Sequence, residues 1–126
     1  MNNYLLIASI LLFVVAIGHS VLGEMLLLNY LKNVTGLPHI FKSDAFAKNT
    51  LRFVWHITSA IGLALAGILF CLCRLEFLNP AEILMVKIIA ASMFASFLLS
   101  LIIARGKHLS WIAFLAIGVL CLFGVM

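Results

Sequence analysis

Residues 4–18, YLLIASILLFVVAIG, contain one serine and no charged side chain. Three further stretches of the same character follow, and together they occupy most of the chain. A hydrocarbon core about 30 Å thick needs about 20 predominantly apolar residues per crossing, so each stretch is long enough to span it as a helix. Without water, backbone N–H and C=O groups must be satisfied inside the protein, which leaves helices or a closed barrel. A barrel wall alternates apolar and polar residues with period two, and these runs are continuous. The sequence therefore predicts an all-α fold, an integral membrane four-helix up-down bundle, with helices at roughly 4–28, 51–73, 81–104 and 109–126.

Composition agrees. The 126 residues are 66% hydrophobic and 10% charged, far from the balance of a soluble globular domain, and four spans leave no length for a second domain. The whole chain, 1–126, is thus read as one transmembrane domain. Ala16 and Gly18 form a small-x-small site of the kind a signal peptidase accepts. No lysine or arginine precedes them, however, so the first stretch is read as a retained helix.

Orientation follows from the basic residues. Lys32, Lys42, Lys48 and Arg52 cluster between the first and second helices, and Arg105 and Lys107 between the third and fourth. The positive-inside rule places both loops in the cytoplasm and both termini outside. On the outer side Arg74 is countered by Glu76 and Glu82. The net charge of +4 is explained by this bias, so no nucleic-acid partner is expected. The bilayer is the expected partner, with a second copy of the chain or another membrane protein as further candidates.

The one long connection, residues 29–50, carries the turn formers Asn33, Gly36 and Pro38. A short amphipathic stretch from Ser43 to Lys48 follows, with Ser43 as a candidate N-cap. Phe41 and Phe46 would turn to lipid there and Lys42 and Lys48 to phosphate. A solvated loop with two buried aromatic rings explains the same residues. The remaining turns, at Asn79-Pro80 and at Gly106, are tight and favour antiparallel neighbours.

Against this background the stretch HSVLGE, residues 19–24, is anomalous, because it puts ionisable groups inside an apolar helix. Such groups cost a few kcal/mol each unless they face the interior and find partners. The second helix opens on the same side with RFVWHITS, where Arg52, His56 and Ser59 stack on one face. The third helix ends there with Arg105, and the following turn supplies His108. The candidate ligand-binding set is therefore His19, Ser20, Glu24, Arg52, His56, Ser59, Arg105 and His108. Glu24 is expected to pair with Arg52 or Arg105, since guanidinium offers a carboxylate two parallel donors. Arg105 and His108 are also explained by interfacial snorkelling, and Trp55 is read as an interfacial anchor. The depth of His19, Glu24 and His56 is not explained by topology. A polar clasp and a functional site account for that trio equally well.

On the outer side lie Cys71, Cys73, Cys121 and Met85. Alternate residues on a helix point about 200° apart, so Cys71 and Cys73 cannot both face one metal, and these thiols are read as packing residues. Lys87 is expected to reach outward to Glu82 or Glu76. Ser92, Ser96 and Ser100 make a stripe of small residues that predicts close helix packing. The chain has no HExxH, no paired CxxC, no glycine-rich phosphate loop and no Glu-x-x-His pair. Nothing in it points to phosphoryl transfer or hydrolysis, which favours a non-enzyme without deciding the question.

The motifs HSxxGE (His19, Ser20, Gly23, Glu24) and RxxWHxxS (Arg52, Trp55, His56, Ser59) resemble those of a group of small bacterial inner-membrane proteins of four helices. The resemblance covers most of the first 60 residues. It implies a multi-pass inner-membrane location and marks those eight positions as a site, but it implies no reaction. Three function classes follow. In the first, the site binds or transports a small ligand, ion or proton, with an anion, a metal or a lipid head group among the candidates and the histidines as proton-sensitive switches. In the second, His19 and His56 are axial ligands of a b-type haem, or hold a transition metal. In the third, an accessory subunit uses the same residues to lock its packing.

Overall fold

The computed structural model describes residues 1–35 and 44–126, all of the regular structure being helical. The helices are α1 (Asn3–Leu22), α2 (Asn29–Lys32), α3 (Asp44–Cys73), α4 (Pro80–Ile103) and α5 (Ser110–Phe123). A π-helical stretch, Gly23–Leu28, joins α1 to α2, so residues 3–32 form one continuous rod. Among the described residues three helices are long and apolar enough to cross a membrane: this rod, α3 and α4. Fewer than a third of the residues in each apolar window are buried inside the protein. Phe53, Ile88, Ile102 and Ile103 are among the many large side chains left on the outside, a surface suited to lipid and unsuited to water.

Three expectations need correction. The second long helix begins at Asp44 rather than near Leu51, so Phe46 and Lys48 belong to the first turns of a long helix and not to a separate segment lying in the head-group layer. The expected N-cap Ser43, with Phe41 and Lys42, lies outside the described residues. The last helix has 14 residues, about 21 Å at 1.5 Å per residue, which is short of a full crossing by itself. Glu82, expected to receive Lys87, instead closes a capping box at the start of α4. Its carboxylate accepts from Asn79 N (2.7 Å), while Asn79 Oδ1 accepts from Ala81 N and Glu82 N.

Asn2 sets the arrangement at the opposite end from the HSVLGE stretch. Its Oδ1 caps α1 by accepting from Leu5 N, its backbone N–H donates to Cys73 O at the end of α3, and its Nδ2 donates to Gly124 O after α5. The α1 helix packs between α3 and α5, α4 packs on α5, and α3 touches α4 only lightly. Tight connection in sequence thus does not make α3 and α4 close neighbours. The core runs along this seam through Leu5, Ala8, Leu12, Leu69, Val86, Met93, Ile117 and Cys121. Cys73 and Cys121 are buried in it and Cys71 is exposed, as opposite faces of one helix require. Of the serine stripe, Ser92 and Ser96 bond back to their own helix, and Ser100 crosses to Ser110 of α5.

Candidate functional site

Along the α1–α3 seam residue numbers run in opposite directions, from Asn2 beside Cys73, through Ser9 bonded to Ala66 O (2.8 Å), to Glu24 beside Arg52. Gly62 makes the close approach feasible. A β-carbon there would lie 3.1 Å from the Ala16 methyl. In this register two i,i+4 pairs interlock: Ser20 and Glu24 on one rod, Arg52 and His56 on the other.

The result is a connected polar cluster. Arg52 grips Glu24 with two donors, Nε to Oε2 at 2.9 Å and Nη2 to Oε1. His56 Nε2 lies 3.3 Å from Glu24 Oε2, and its Nδ1 is 2.8 Å from the Ser20 hydroxyl. Lys32 Nζ stands 3.9 Å from the same carboxylate. Glu24 therefore faces three basic side chains, while one imidazole links it to Ser20. The π-helical stretch bears on this placement, because its wider turn begins at Gly23 and its closing bond runs from Asn29 N to Glu24 O. Such turns often mark functional positions.

Above this cluster Trp55 is turned inward, which corrects its reading as an interfacial anchor. Its indole Nε1 donates to His19 O (2.8 Å), its ring covers Gly23, and the His19 imidazole stacks on it at 4.3 Å with planes 4° apart. Thr58 Oγ1 donates to Trp55 O and lies 3.3 Å from His19 Nε2. Ser59, buried, donates to the same carbonyl at 3.4 Å.

The structure thus brings together His19, Ser20, Glu24, Arg52, His56 and Ser59. Arg105 stays apart, exposed at the end of α4 with φ +48°, and among the described residues no hydrogen bond or ion pair ties it to Glu24. His108 bonds locally to Ser110 at 2.8 Å. Lys32 and Thr58 were missed from sequence. Lys32 sits two turns after Glu24 on the same rod, a spacing that places it on the carboxylate's side.

The haem reading does not fit this geometry. Both ring nitrogens of His56 are engaged by Ser20 and Glu24, and His19 lies flat against Trp55, so the two imidazoles do not aim at a common iron. Among the described residues no group of three or more His, Cys, Asp or Glu side chains is placed to hold a metal ion. No protein-family model, curated protein or solved structure matches the chain.

Proposed function

We propose that this chain is a multi-pass protein of the bacterial inner membrane, an up-down bundle of four spans, whose Ser20–His56–Glu24–Arg52 cluster near the cytoplasmic face binds a proton. The apolar exterior supports the membrane placement. The last span is completed by the apolar residues flanking α5, which reaches from Ser110 at one end of the bundle to Gly124 beside Asn2 at the other. The similarity of the HSxxGE and RxxWHxxS motifs to those of small inner-membrane proteins supports the location.

One observation carries the proton reading: the His56 imidazole is held between a hydroxyl and a carboxylate that is already shared with Arg52. Histidine is the side chain whose charge ordinarily changes between about pH 5 and 8. Neutral, with its proton on Nε2, His56 donates to Glu24 and accepts from Ser20. Charged, it donates at both nitrogens, so Ser20 must become an acceptor and Glu24 gains a third full cation beside Arg52 and Lys32. Uptake of one proton therefore rewires the contact between α1 and α3. The charged and titratable groups around His56 are Glu24, Arg52, Lys32 and His19.

A second reading, a purely structural clasp, is favoured by the same completeness of pairing, since a fixed network needs one protonation state. Proton uptake by the folded protein separates the two, because a histidine locked in one state when folded would still make stability depend on pH through the unfolded chain. Proton binding predicts that the folded wild type takes up a proton at His56 and that His56→Gln folds and takes up one fewer. A folded wild type in which His56 keeps one protonation state, with a His56→Gln variant that does not fold, establishes the clasp instead.

A further inference from the structure

Beside the proton cluster, on the side away from His56, the rod and α3 part to leave a cleft of about 150 Å³. Its polar lining is Lys32, Lys48, Asn49 and Arg52, and its walls are Leu28 and Leu31. Lys48 Nζ donates to Lys32 O (2.8 Å) and Lys32 Nζ to Asn29 Oδ1 (2.6 Å), so each ammonium is positioned by one bond and retains further N–H groups. Arg52 uses Nε and Nη2 on Glu24, which leaves its Nη1 hydrogens outside that pair. Three cations, Lys32, Lys48 and Arg52, line the cleft, and the Glu24 carboxylate stands beside two of them. The surplus is positive.

We infer that this cleft binds the phosphate of an anionic phospholipid. The chemistry it recognises is a phosphate oxyanion, met by two point charges, a guanidinium edge and a neutral amide donor. The apolar walls select the lipid source over a free ion. Leu28 and Leu31 line the cleft, and Leu27, Tyr30 and Leu51 on the adjoining surfaces are exposed, so acyl chains have an apolar surface to follow from the phosphate outward. The cationic side is also the one that the positive-inside rule turns toward the anionic leaflet. The inference rests on the membrane placement proposed above and does not require His56 to bind a proton, although Arg52 and Lys32 border both sites.

The test uses the full chain in mixed micelles of equal phosphatidylglycerol and phosphatidylcholine, with native mass spectrometry counting the lipids retained. One phosphatidylglycerol per chain is expected in preference to phosphatidylcholine. Two neutralised lysines near the surface are expected to weaken that preference roughly tenfold or more in Lys32→Gln/Lys48→Gln, while Lys32→Arg/Lys48→Arg keeps it. Equal retention of both lipids, or an unchanged preference in the glutamine variant, overturns the inference. Loss of the retained lipid to millimolar inorganic phosphate assigns the cleft to a free anion and overturns the lipid source. If the glutamine variant does not fold, a salt titration of the wild type decides. The preference falls with added salt if cations hold the phosphate, and a salt-independent preference contradicts it. Firm incorporation of the chain into vesicles of either lipid reports the membrane placement separately, so failure of lipid selectivity is distinguishable from failure of that placement.

Discussion

Trp55 of α3 lies so closely over Gly23 of the first rod that its indole occupies the space a β-carbon at Gly23 would need. The ring is fixed there by its bond to His19 O and by the stacked His19 imidazole. Gly23→Ala should therefore displace the indole, break that hydrogen bond and destabilise the α1–α3 contact by about 1–3 kcal/mol, the usual range for overpacking. Gly23→Ala combined with Trp55→Leu should recover part of the loss, giving a coupled cycle in denaturant unfolding. Additive effects would mean that the two positions do not touch.

The Glu24–Arg52 pair makes a second cycle. Removing one partner leaves the other charge in the seam without its counter-ion, whereas removing both leaves a smaller uncharged gap. The side chains are 29% and 39% exposed, so water softens the penalty, and about 2 kcal/mol is expected for Glu24→Ala. The Glu24→Ala, Arg52→Leu double variant should be more stable than Glu24→Ala alone. Folded yield and melting temperature in detergent measure both, and a double variant worse than either single one would contradict the pairing.

Orientation is tested on the two exposed turns. With the native cysteines replaced, a cysteine at Glu76 should react with an impermeant maleimide from outside intact cells, and one at Lys107 only after the membrane is opened. Reaction of both from one side would overturn the up-down order of the spans.

Much of the site was legible because it obeys helical spacing. Ser20 and Glu24 are four residues apart, as are Arg52 and His56, and two such pairs can interlock across an antiparallel seam in one register. The Glu24–Arg52 pairing follows from a carboxylate that needs a bidentate cation. The inward turn of Trp55 was less visible, since tryptophan near a helix end is ordinarily an interfacial residue. Its signal was Gly23, a missing side chain at the matching level of the facing helix. The π-helical stretch left no trace in the residue pattern, because GEMLLL suits an ordinary helix equally well. The early start of α3 was hidden by the charges of residues 44–52, which made a helix continuous with the apolar span look like a connection. The packing order was hidden too, because it depends on Asn2 tying α1 to the ends of both α3 and α5. An asparagine immediately before an apolar run is a readable cap, but its two distant partners are not.

The most direct test of proton binding is a nitrogen-15 NMR titration of histidine-labelled protein in detergent, with His56 assigned by comparison with His56→Gln. One proton should be taken up at His56 in the folded protein, with the signals of both Nδ1 and Nε2 moving to those of an imidazolium as Ser20 changes from donor to acceptor. Glu24→Gln should shift that titration, because it removes the carboxylate that His56 Nε2 faces at 3.3 Å. A His56 signal that keeps one protonation state across the whole range, in both the wild type and Glu24→Gln, would contradict proton binding and leave a structural clasp.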